Sequence, residues 1–409
     1  MSQSRTTRRS YLKYVGAGAV VAALAAAGYG IYEYTKPAKP KTLELWISPY
    51  VAEEDKVIRP LLDRFESETG VHVTTLTVPW PQMTDKTIAA AAGGGGPHAV
   101  FTSAPRVATL AGRKILASVN DVVEQMRPRV RSAMAIDVMR HPDGNFYAVP
   151  WDGCFCWWVL NVGMLKHAGV ADDVIDRMST GTWTIDEFVA LQEKVRTDDQ
   201  YFYVFPAATQ QGGALYNWEW IFGCPYGFLD RPFGTPIFNS EQHVNALRFL
   251  NQIKEYMPDG VETIESSEGL WYSQKAAFYG DSDIYYFTYF TEKMPKEHPE
   301  IDWRVATPPV GPTGHQEIYD WNDYWGILNN KPTEEIEWTK KLMLFLFLNG
   351  SEYLVDYHGT IPANKDGLNY LQQKLGGTVA GDAVALYTAL TEGGKYSHEE
   401  PIHERAWDM

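Results

Sequence analysis

Cysteine is scarce in this sequence: the 409 residues contain three, at positions 154, 156 and 224. No two of them form a CxxC pair, which argues against a cysteine-based zinc site. None lies near the N-terminus, so an anchor built on a lipid-modified cysteine is excluded. Cys154 and Cys156 are two apart and share one face of a predicted strand. A bridge from one of them to Cys224, or three reduced thiols, are the alternatives that the sequence leaves open.

Basic residues are outnumbered. The chain has 36 Lys and Arg against 51 Asp and Glu, for a net charge of −15, and its first 35 residues are themselves net positive. The remainder is therefore more acidic still and has no basic excess to neutralise phosphates, so we expect no nucleic-acid partner. Internal repeats and long low-complexity tracts are also lacking after residue 41, which argues against a passive surface-layer or adhesion protein.

A metalloprotease motif is lacking too. Residues 397–403 read SHEEPIH, but the two histidines are five apart rather than four, and Pro401 interrupts any helix there. We expect no metal ion, no cofactor and no catalytic residue.

The N-terminus carries an export signal. Arg8 and Arg9 precede an apolar stretch of 19 residues, from Tyr14 to Tyr32. A twin arginine ahead of a mild apolar segment is the address read by the twin-arginine export route. Residues 1–35 are therefore predicted to be a signal or a membrane anchor with its N-terminus on the cytoplasmic side, and residues 36–41 a short stiff linker. The length of the stretch is compatible with a cleaved signal and with a membrane-spanning anchor, so the sequence leaves open whether the segment is removed.

Hydrophobic spacing predicts an α/β fold. Strands are expected over 42–47, 71–75 and 98–101, alternating with a helix around Ile58, Leu61, Leu62 and Phe65 and a second helix over 84–92. This order implies a parallel sheet with helices on both faces, in which ligands bind beyond the carboxyl ends of the strands.

Later segments suggest a second lobe. Strands are expected over 146–151 and 154–160, then over 276–279, 305–309 and 326–328, with a long helix over 333–348. Thr184 and Glu187 form the pattern of a capping box, and Trp183 can pack on Phe188 as a hydrophobic staple.

Six short segments occur in a fixed order between about Leu43 and Asp366: residues 64–71, 89–97, 147–161, 182–188, 275–280 and 350–363. Together they resemble extracellular solute-binding proteins of family 1, the maltose-binding-protein-like receptors of ABC importers. One departure is His98, where the family usually has Asp. We expect this to change a hydrogen bond at the end of a strand.

The resemblance implies a two-lobed periplasmic-binding-protein-like fold, with two Rossmann-like lobes joined by hinge strands. The first lobe would take 42–150 and 325–362, and the second 151–324 and 363–409. It implies a monomer that is no enzyme: the lobes close on a small solute outside the cytoplasm and offer it to an ABC permease, with the membrane a further partner if the N-terminal segment is retained.

A carbohydrate is the predicted solute, because its C–H faces pack on aromatic rings and its hydroxyls bind carboxylates and amides. The chain is rich in aromatics, with 14 Trp and 24 Tyr. Several of them lie in polar, Gly-bearing segments that look like loops, notably 212–220 and 319–325. The candidate contacts lie at predicted strand ends and crossings: Trp46, Tyr50, Glu54, Trp80, Ser103, Trp151, Asp152, Trp157, Tyr216, Trp218, Asp281, Asp283, Trp321, Asn322 and Tyr324.

The candidates also have structural explanations. Trp46 and Trp157 could be core residues, and Asp281 and Asp283 could cap a helix. Asp320 and Asp323, which lie beside the candidates Trp321 and Asn322, could be solvated turn residues.

Two other functions compete with a sugar receptor. A polyamine or other cationic solute would also use carboxylates and aromatic walls, and the acidic charge fits it. An exported glycoside hydrolase or lyase would need two carboxylates across a sugar bond, about 5–10 Å apart. The order of the six segments argues against an enzyme.

Overall fold

The protein is described here from a computed structural model. It describes residues 40–48, 54–131, 134–155, 157–204, 213–224, 226–227, 229–259, 264–280, 289–316, 318–392 and 397–399. The predicted export segment and most of the linker lie outside these residues. Within the described ranges, no helix combines the length and apolar character needed to cross a membrane.

A mixed sheet of seven strands organises the first lobe, in the order β2-β1-β3-β9-β4-β10, with β11 paired to β9. Its strands are β1 (Thr42–Ile47), β2 (His72–Thr77), β3 (Ala99–Ser103), β4 (Ala148–Phe155), β9 (Ile318–Ile327), β10 (Ile361–Pro362) and β11 (Ser397–Glu399). The helices between β1 and β4 are α1 (Glu54–Thr69), α2 (Met83–Ala92), α3 (Ala104–Gly112), α4 (Asn120–Met126) and α5 (Met134–Asp137).

The predicted βαβαβ order is confirmed. β1 pairs in parallel with β2 on one side and β3 on the other. The four apolar residues that predicted α1 are all buried. Gly70 ends this helix with φ of 66°, a left-handed conformation that glycine adopts without steric strain.

The second lobe is built on four strands in the order β6-β7-β5-β8. These are β5 (Trp158–Asn161), β6 (Tyr201–Val204), β7 (Ala276–Gly280) and β8 (Trp303–Ala306). The helices around them are α6 (Val162–His167), α7 (Asp172–Thr180), α8 (Ile185–Val195), α9 (Gly213–Ile221), α10 (Glu241–Ile253) and α11 (Ile264–Tyr272). The capping box of Thr184 and Glu187 is present at the start of α8, and Trp183 packs against Phe188 at 6.0 Å.

β4 and β9 are antiparallel partners along most of their length, from Ala148 opposite Gly326 to Phe155 opposite Asp320. The sequence predicted a strand only over 326–328 here and read 319–325 as a loop. That reading was wrong, because β9 lies between β4 and β3 and is paired on both edges. The segment 213–220, also read as loop-like, belongs to helix α9.

After β9 the chain forms α12 (Thr333–Asn349), α13 (Ser351–Tyr353), α14 (Lys365–Leu375) and α15 (Val379–Glu392). β11 then pairs in parallel with the start of β9, with His398 opposite Tyr319. The C-terminal strand thus belongs to the larger sheet.

Three hydrophobic cores support this arrangement. One lies in the first lobe, on α1, α12 and the strands around β1. A second fills the space between β5, β7 and the helices α8 to α10. The third packs α14 and α15 against Phe155 and Trp157, where the chain enters the second lobe.

His98 makes the strand-end hydrogen bonds expected of the position. Its ring Nδ1 accepts a hydrogen bond from the Glu44 N–H at 2.9 Å, and its Nε2 lies 3.0 Å from Glu335 Oε2. An accepting Nδ1 leaves the proton on Nε2, which donates to Glu335. Burial lowers the pKa of His98, against the opposing effect of the Glu335 hydrogen bond, and so favours the neutral ring that this geometry requires.

We predict that this histidine makes stability depend on pH. The pKa of His98 in the folded protein is lowered from its ordinary value of 6.5. The contribution of His98 to the unfolding free energy is therefore fully present above pH 6.5 and is lost as the pH falls below 6.5. At pH about 7.5 the His98→Leu variant should have an unfolding free energy about 1–2 kcal/mol lower than the parent, and this gap should narrow towards pH about 5.5. Urea unfolding across this range measures it.

The control is His167→Leu, at an exposed position, which should change the unfolding free energy by less than about 0.5 kcal/mol. A gap for His98→Leu that stays constant or widens in acid would contradict the assignment of a neutral, accepting ring.

Candidate functional site

Three neighbouring strands of the larger sheet, β3, β9 and β4, each contribute one polar residue to a row across the sheet. Ser103, the last residue of β3, is the register partner of Asp323 on β9, and Asp323 is the partner of Asp152 on β4. The three are 4%, 0% and 0% exposed. Directly opposite residues on neighbouring strands share a face of the sheet, so these side chains form a buried polar row, which we call the hinge row.

The hinge row contains two carboxylates on adjacent strands, an arrangement that normally repels. Helix α3 begins directly after Ser103. The N-terminal end of a helix carries a partial positive charge, which favours a nearby carboxylate. The start of α3 therefore favours negative charge at the Ser103 end of the row.

Asp152 is held from the far side by residues that follow α13. The Thr360 hydroxyl donates a hydrogen bond of 2.6 Å to Asp152 Oδ2, and His358 Nδ1 lies 3.1 Å from the same oxygen. His358 and Thr360 are themselves buried. The other oxygen, Oδ1, is buried and has no hydrogen-bond partner among the described residues. One oxygen of Asp152 is thus fixed and the other retains accepting capacity.

Asn322 lies one position along β9, opposite Gly153. Its side-chain Oδ1 accepts a hydrogen bond of 3.0 Å from Arg131, whose guanidinium lies 5.5 Å from the centre of the Phe155 ring. Asn322 is 1% exposed, and the hydrogen bond from Arg131 orients its side-chain amide.

Among the candidate aromatics whose side chains are described, Trp80 keeps exposed surface. It begins a short 3₁₀ turn (Trp80–Gln82) after β2 and is partly buried. The Arg106 guanidinium lies 3.7 Å from its ring centre, and Phe101 packs at 5.9 Å. A cation stacked on one face fixes the ring.

Five candidates are core residues in this structure. Trp46 and Trp151 are buried in the first lobe, and Trp151 packs 6.2 Å from both Trp325 and Tyr353. The remaining three, each 0% exposed, are Trp157, Trp218 and Tyr324. Large aromatics contribute mainly through buried area, which accounts for these positions without a solute.

The remaining six candidates lie wholly or partly outside the described residues. Tyr50, Asp281 and Asp283 lie outside the described residues. Glu54, Tyr216 and Trp321 have described backbone on α1, α9 and β9, and their side chains lie outside the description.

Sequence reasoning missed four residues of the site. Asp323 was read as a solvated turn residue, yet it is buried in the hinge row. His358 and Thr360 follow Asp152 by more than 200 positions, and Arg131 lies on a turn without a recognisable motif. Only the tertiary fold brings them to the hinge strands.

The thiol of Cys224 is free and buried, so the disulfide alternative involving this residue is not formed. Burial, with the nearby charge of Glu219, raises its pKa to about 12. A thiol with so high a pKa is a poor nucleophile.

Two surface grooves lie on the second lobe, away from the hinge row. One has a volume of about 670 Å³ between α8 and α10, and includes Val189, Phe222 and Phe249. The other, of about 530 Å³, lies at the end of α10 and includes Arg196, Lys254 and Asp259. Neither contains a residue of the hinge row.

We predict that Thr360 stabilises the fold through Asp152. Thr360→Val keeps the side-chain shape but removes a donor from a buried carboxylate, which should lower the unfolding free energy by about 2 kcal/mol. The matched control is Thr339→Val on α12, which removes a neutral hydrogen bond to the Glu335 carbonyl at an equally buried site. We expect it to cost about 1 kcal/mol or less. Equal losses in denaturant unfolding would contradict the role of Thr360.

Comparison with solved structures identifies similar folds. A maltose-bound MalE3 from T. maritima superposes with a TM-score of 0.68 at 19% identity, covering 90% of this chain and 91% of that one. An ABC substrate-binding protein from Listeria monocytogenes in complex with cycloalternan gives 0.68 at 17% identity, covering 90% of each chain. An ABC transporter solute-binding protein from Thermotoga lettingae, bound with alpha-D-tagatose, gives 0.63 at 20% identity, covering 89% and 90%. At these identities the likeness establishes the fold, a two-lobed periplasmic-binding-protein fold.

Sequence comparison adds the family. Among curated protein sequences none matches this chain. The model of the bacterial extracellular solute-binding protein family matches residues 48–352, well over half of the chain and inclusive of every residue of the hinge row. This protein therefore belongs to the bacterial extracellular solute-binding protein family.

Proposed function

We propose that this protein is an extracytoplasmic receptor that captures a sugar or oligosaccharide between its lobes and delivers it to an ABC importer permease. The observation that carries the proposal is the hinge row: polar side chains buried on the strands that join the lobes, at the carboxyl end of β3. Ligands of open α/β sheets bind at this edge.

The chemistry of the row suits hydroxyl groups. A sugar hydroxyl both donates and accepts hydrogen bonds. Ser103 can do the same, the free capacity of Asp152 Oδ1 accepts, and an amide such as Asn322 offers both functions. These residues are at most 4% exposed in this structure, so the proposal requires that opening of the hinge uncovers them to the solute. A micromolar affinity requires about 8 kcal/mol. A few hydrogen bonds to charged groups, each contributing about 1.5–3 kcal/mol, together with stacking on Trp80, Tyr216 or Trp321, would supply it.

A carbohydrate is favoured further by the solved structures of similar fold, which hold maltose, cycloalternan and tagatose. Those ligands belong to those proteins, and they make saccharides the first class to test here. The proposed action is hinge closure without covalent chemistry, by a monomer.

Export by the twin-arginine route is part of the proposal. The arginine pair at residues 8–9 and the apolar stretch after it support this route. If the stretch is retained, it tethers the receptor to the membrane, near a permease.

Solute-dependent thermal unfolding tests the proposal. Residues 36–409 would be heated with a panel of mono- and oligosaccharides, with spermidine and divalent metal ions as comparison ligands. A ligand present at 100 times its Kd adds about 2.7 kcal/mol and should raise Tm by a few degrees. We expect a rise with one or more saccharides, and recovery of the sugar intact.

The other outcomes are distinct. A rise with spermidine alone would replace the sugar with a cationic solute. Cleavage of an oligosaccharide during incubation would contradict a receptor without catalytic activity. No rise with any compound would remove the support for this solute class.

A further inference from the structure

A carboxylate and an imidazole are buried together in the second lobe, away from the hinge row. Glu219 on α9 is 0% exposed and His243 on α10 is 3% exposed, and His243 Nδ1 lies 2.9 Å from Glu219 Oε1. The pair is a direct contact between two helices that are packed against each other.

The imidazole has a fixed position. His243 lies in the first turn of α10, where its backbone N–H donates a hydrogen bond of 3.3 Å to the hydroxyl of the capping residue Ser240. The ring of Phe238 packs edge-on against it at 5.5 Å. The N-terminal end of α10 also favours the negative charge of Glu219 beside it. α10 thus presents a rigid partner to α9.

Stability alone does not explain the pair. Neither carboxylate oxygen of Glu219 has a well-aligned hydrogen bond among the described residues. Burial raises the pKa of Glu219, against the opposing effect of His243. Replacing a buried ion pair with apolar residues of similar volume is often neutral or stabilising. An apolar pair lacks a contact between two particular atoms, whereas the 2.9 Å contact of His243 Nδ1 with Glu219 Oε1 is made at one position of α9 on α10.

The position of α9 matters to the proposed solute site. The helix contacts β9, the strand that carries Asn322 and Asp323. On its buried side, Trp218 packs against Phe188 at 5.1 Å and Phe249 at 5.0 Å. Tyr216, a proposed solute contact, is three residues before Glu219 on the same helix. A shift of α9 along α10 would therefore move Tyr216.

We propose that Glu219 and His243 are positioning residues that lock α9 against α10 and so fix the backbone position of Tyr216, a proposed solute contact. The inference rests on the proposed function for the role of Tyr216, and on the contact geometry for the lock itself.

The lock is tested first without a solute, by amide hydrogen exchange. The double variant Glu219→Leu with His243→Leu should keep Tm within a few degrees while the amides of α9 exchange about tenfold faster, which corresponds to about 1.4 kcal/mol less protection. Exchange in α7 should not change. Unchanged exchange in α9, or an equal increase throughout the second lobe, would overturn the lock.

Glu219→Gln provides a second variant if the double variant does not fold. It keeps the shape and removes the charge, and should give a smaller increase confined to α9. No increase would overturn the proposal. The matched control is Glu241→Gln, at an exposed carboxylate two positions before His243, which should leave α9 exchange unchanged.

The link to Tyr216 is tested by affinity for whichever saccharide raises Tm. The double variant Glu219→Leu with His243→Leu should raise the Kd for that saccharide about tenfold when Tyr216 is present. The same two substitutions should change Kd little in a Tyr216→Ala protein, since both act through one contact. Additive losses, or no loss, would contradict positioning through Tyr216. If no saccharide binds the parent, the proposed function fails while the exchange result still decides whether the lock exists.

Discussion

The antiparallel pairing of β4 with β9 is the contact on which the rest of the structure depends. These strands, eight and ten residues long, run between the two lobes and form the centre of the larger sheet. β3, β10 and β11 all bind to the edges of this pair. A backbone ladder resists separation of its strands, and each lobe has a hydrophobic core of its own.

The same pairing explains how polar groups come to be buried in one row across the larger sheet. Ser103, Asp323 and Asp152 are brought side by side by strand register, and each must then find a partner or a favourable field. Asp152 obtains hydrogen-bonding partners from the segment after α13, and the row lies at the start of α3. Under the proposed function, the β4–β9 pair would be both the mechanical link between the lobes and the polar floor of the solute site.

The sequence predicted the strands, helices and caps whose conformation depends on residues nearby along the chain. β1 to β3, α1 and the capping box of Thr184 follow from local spacing, and each was confirmed. The family resemblance predicted the two-lobed fold, including the exit strand at Pro150. The strand β9 could not be predicted, because its Trp-Asn-Asp-Tyr-Trp segment lacks alternation and is a strand only through β3 and β4 beside it.

The sequence named some of the residues that the fold brings together. Ser103, Asp152 and Asn322 were named from predicted strand ends and crossings, and they lie at neighbouring positions on β3, β4 and β9. Their role as solute contacts stays a prediction. Trp218 was chosen because its neighbours are polar, and Trp157 because it lies at the predicted hinge. Tertiary packing encloses both side chains, which the polarity of neighbouring residues along the chain does not indicate. Arg131, His358 and Thr360 reach the site through long-range contacts that carry no local signal.

The central claim is that the two lobes close on a saccharide about the β4–β9 pair. The most direct measurement is small-angle X-ray scattering of residues 36–409, with and without the saccharide that gives the largest rise in Tm. The account predicts a smaller radius of gyration at saturation, and no change with a saccharide that does not raise Tm. A saccharide that binds while the radius of gyration stays the same would contradict closure as the mechanism of capture.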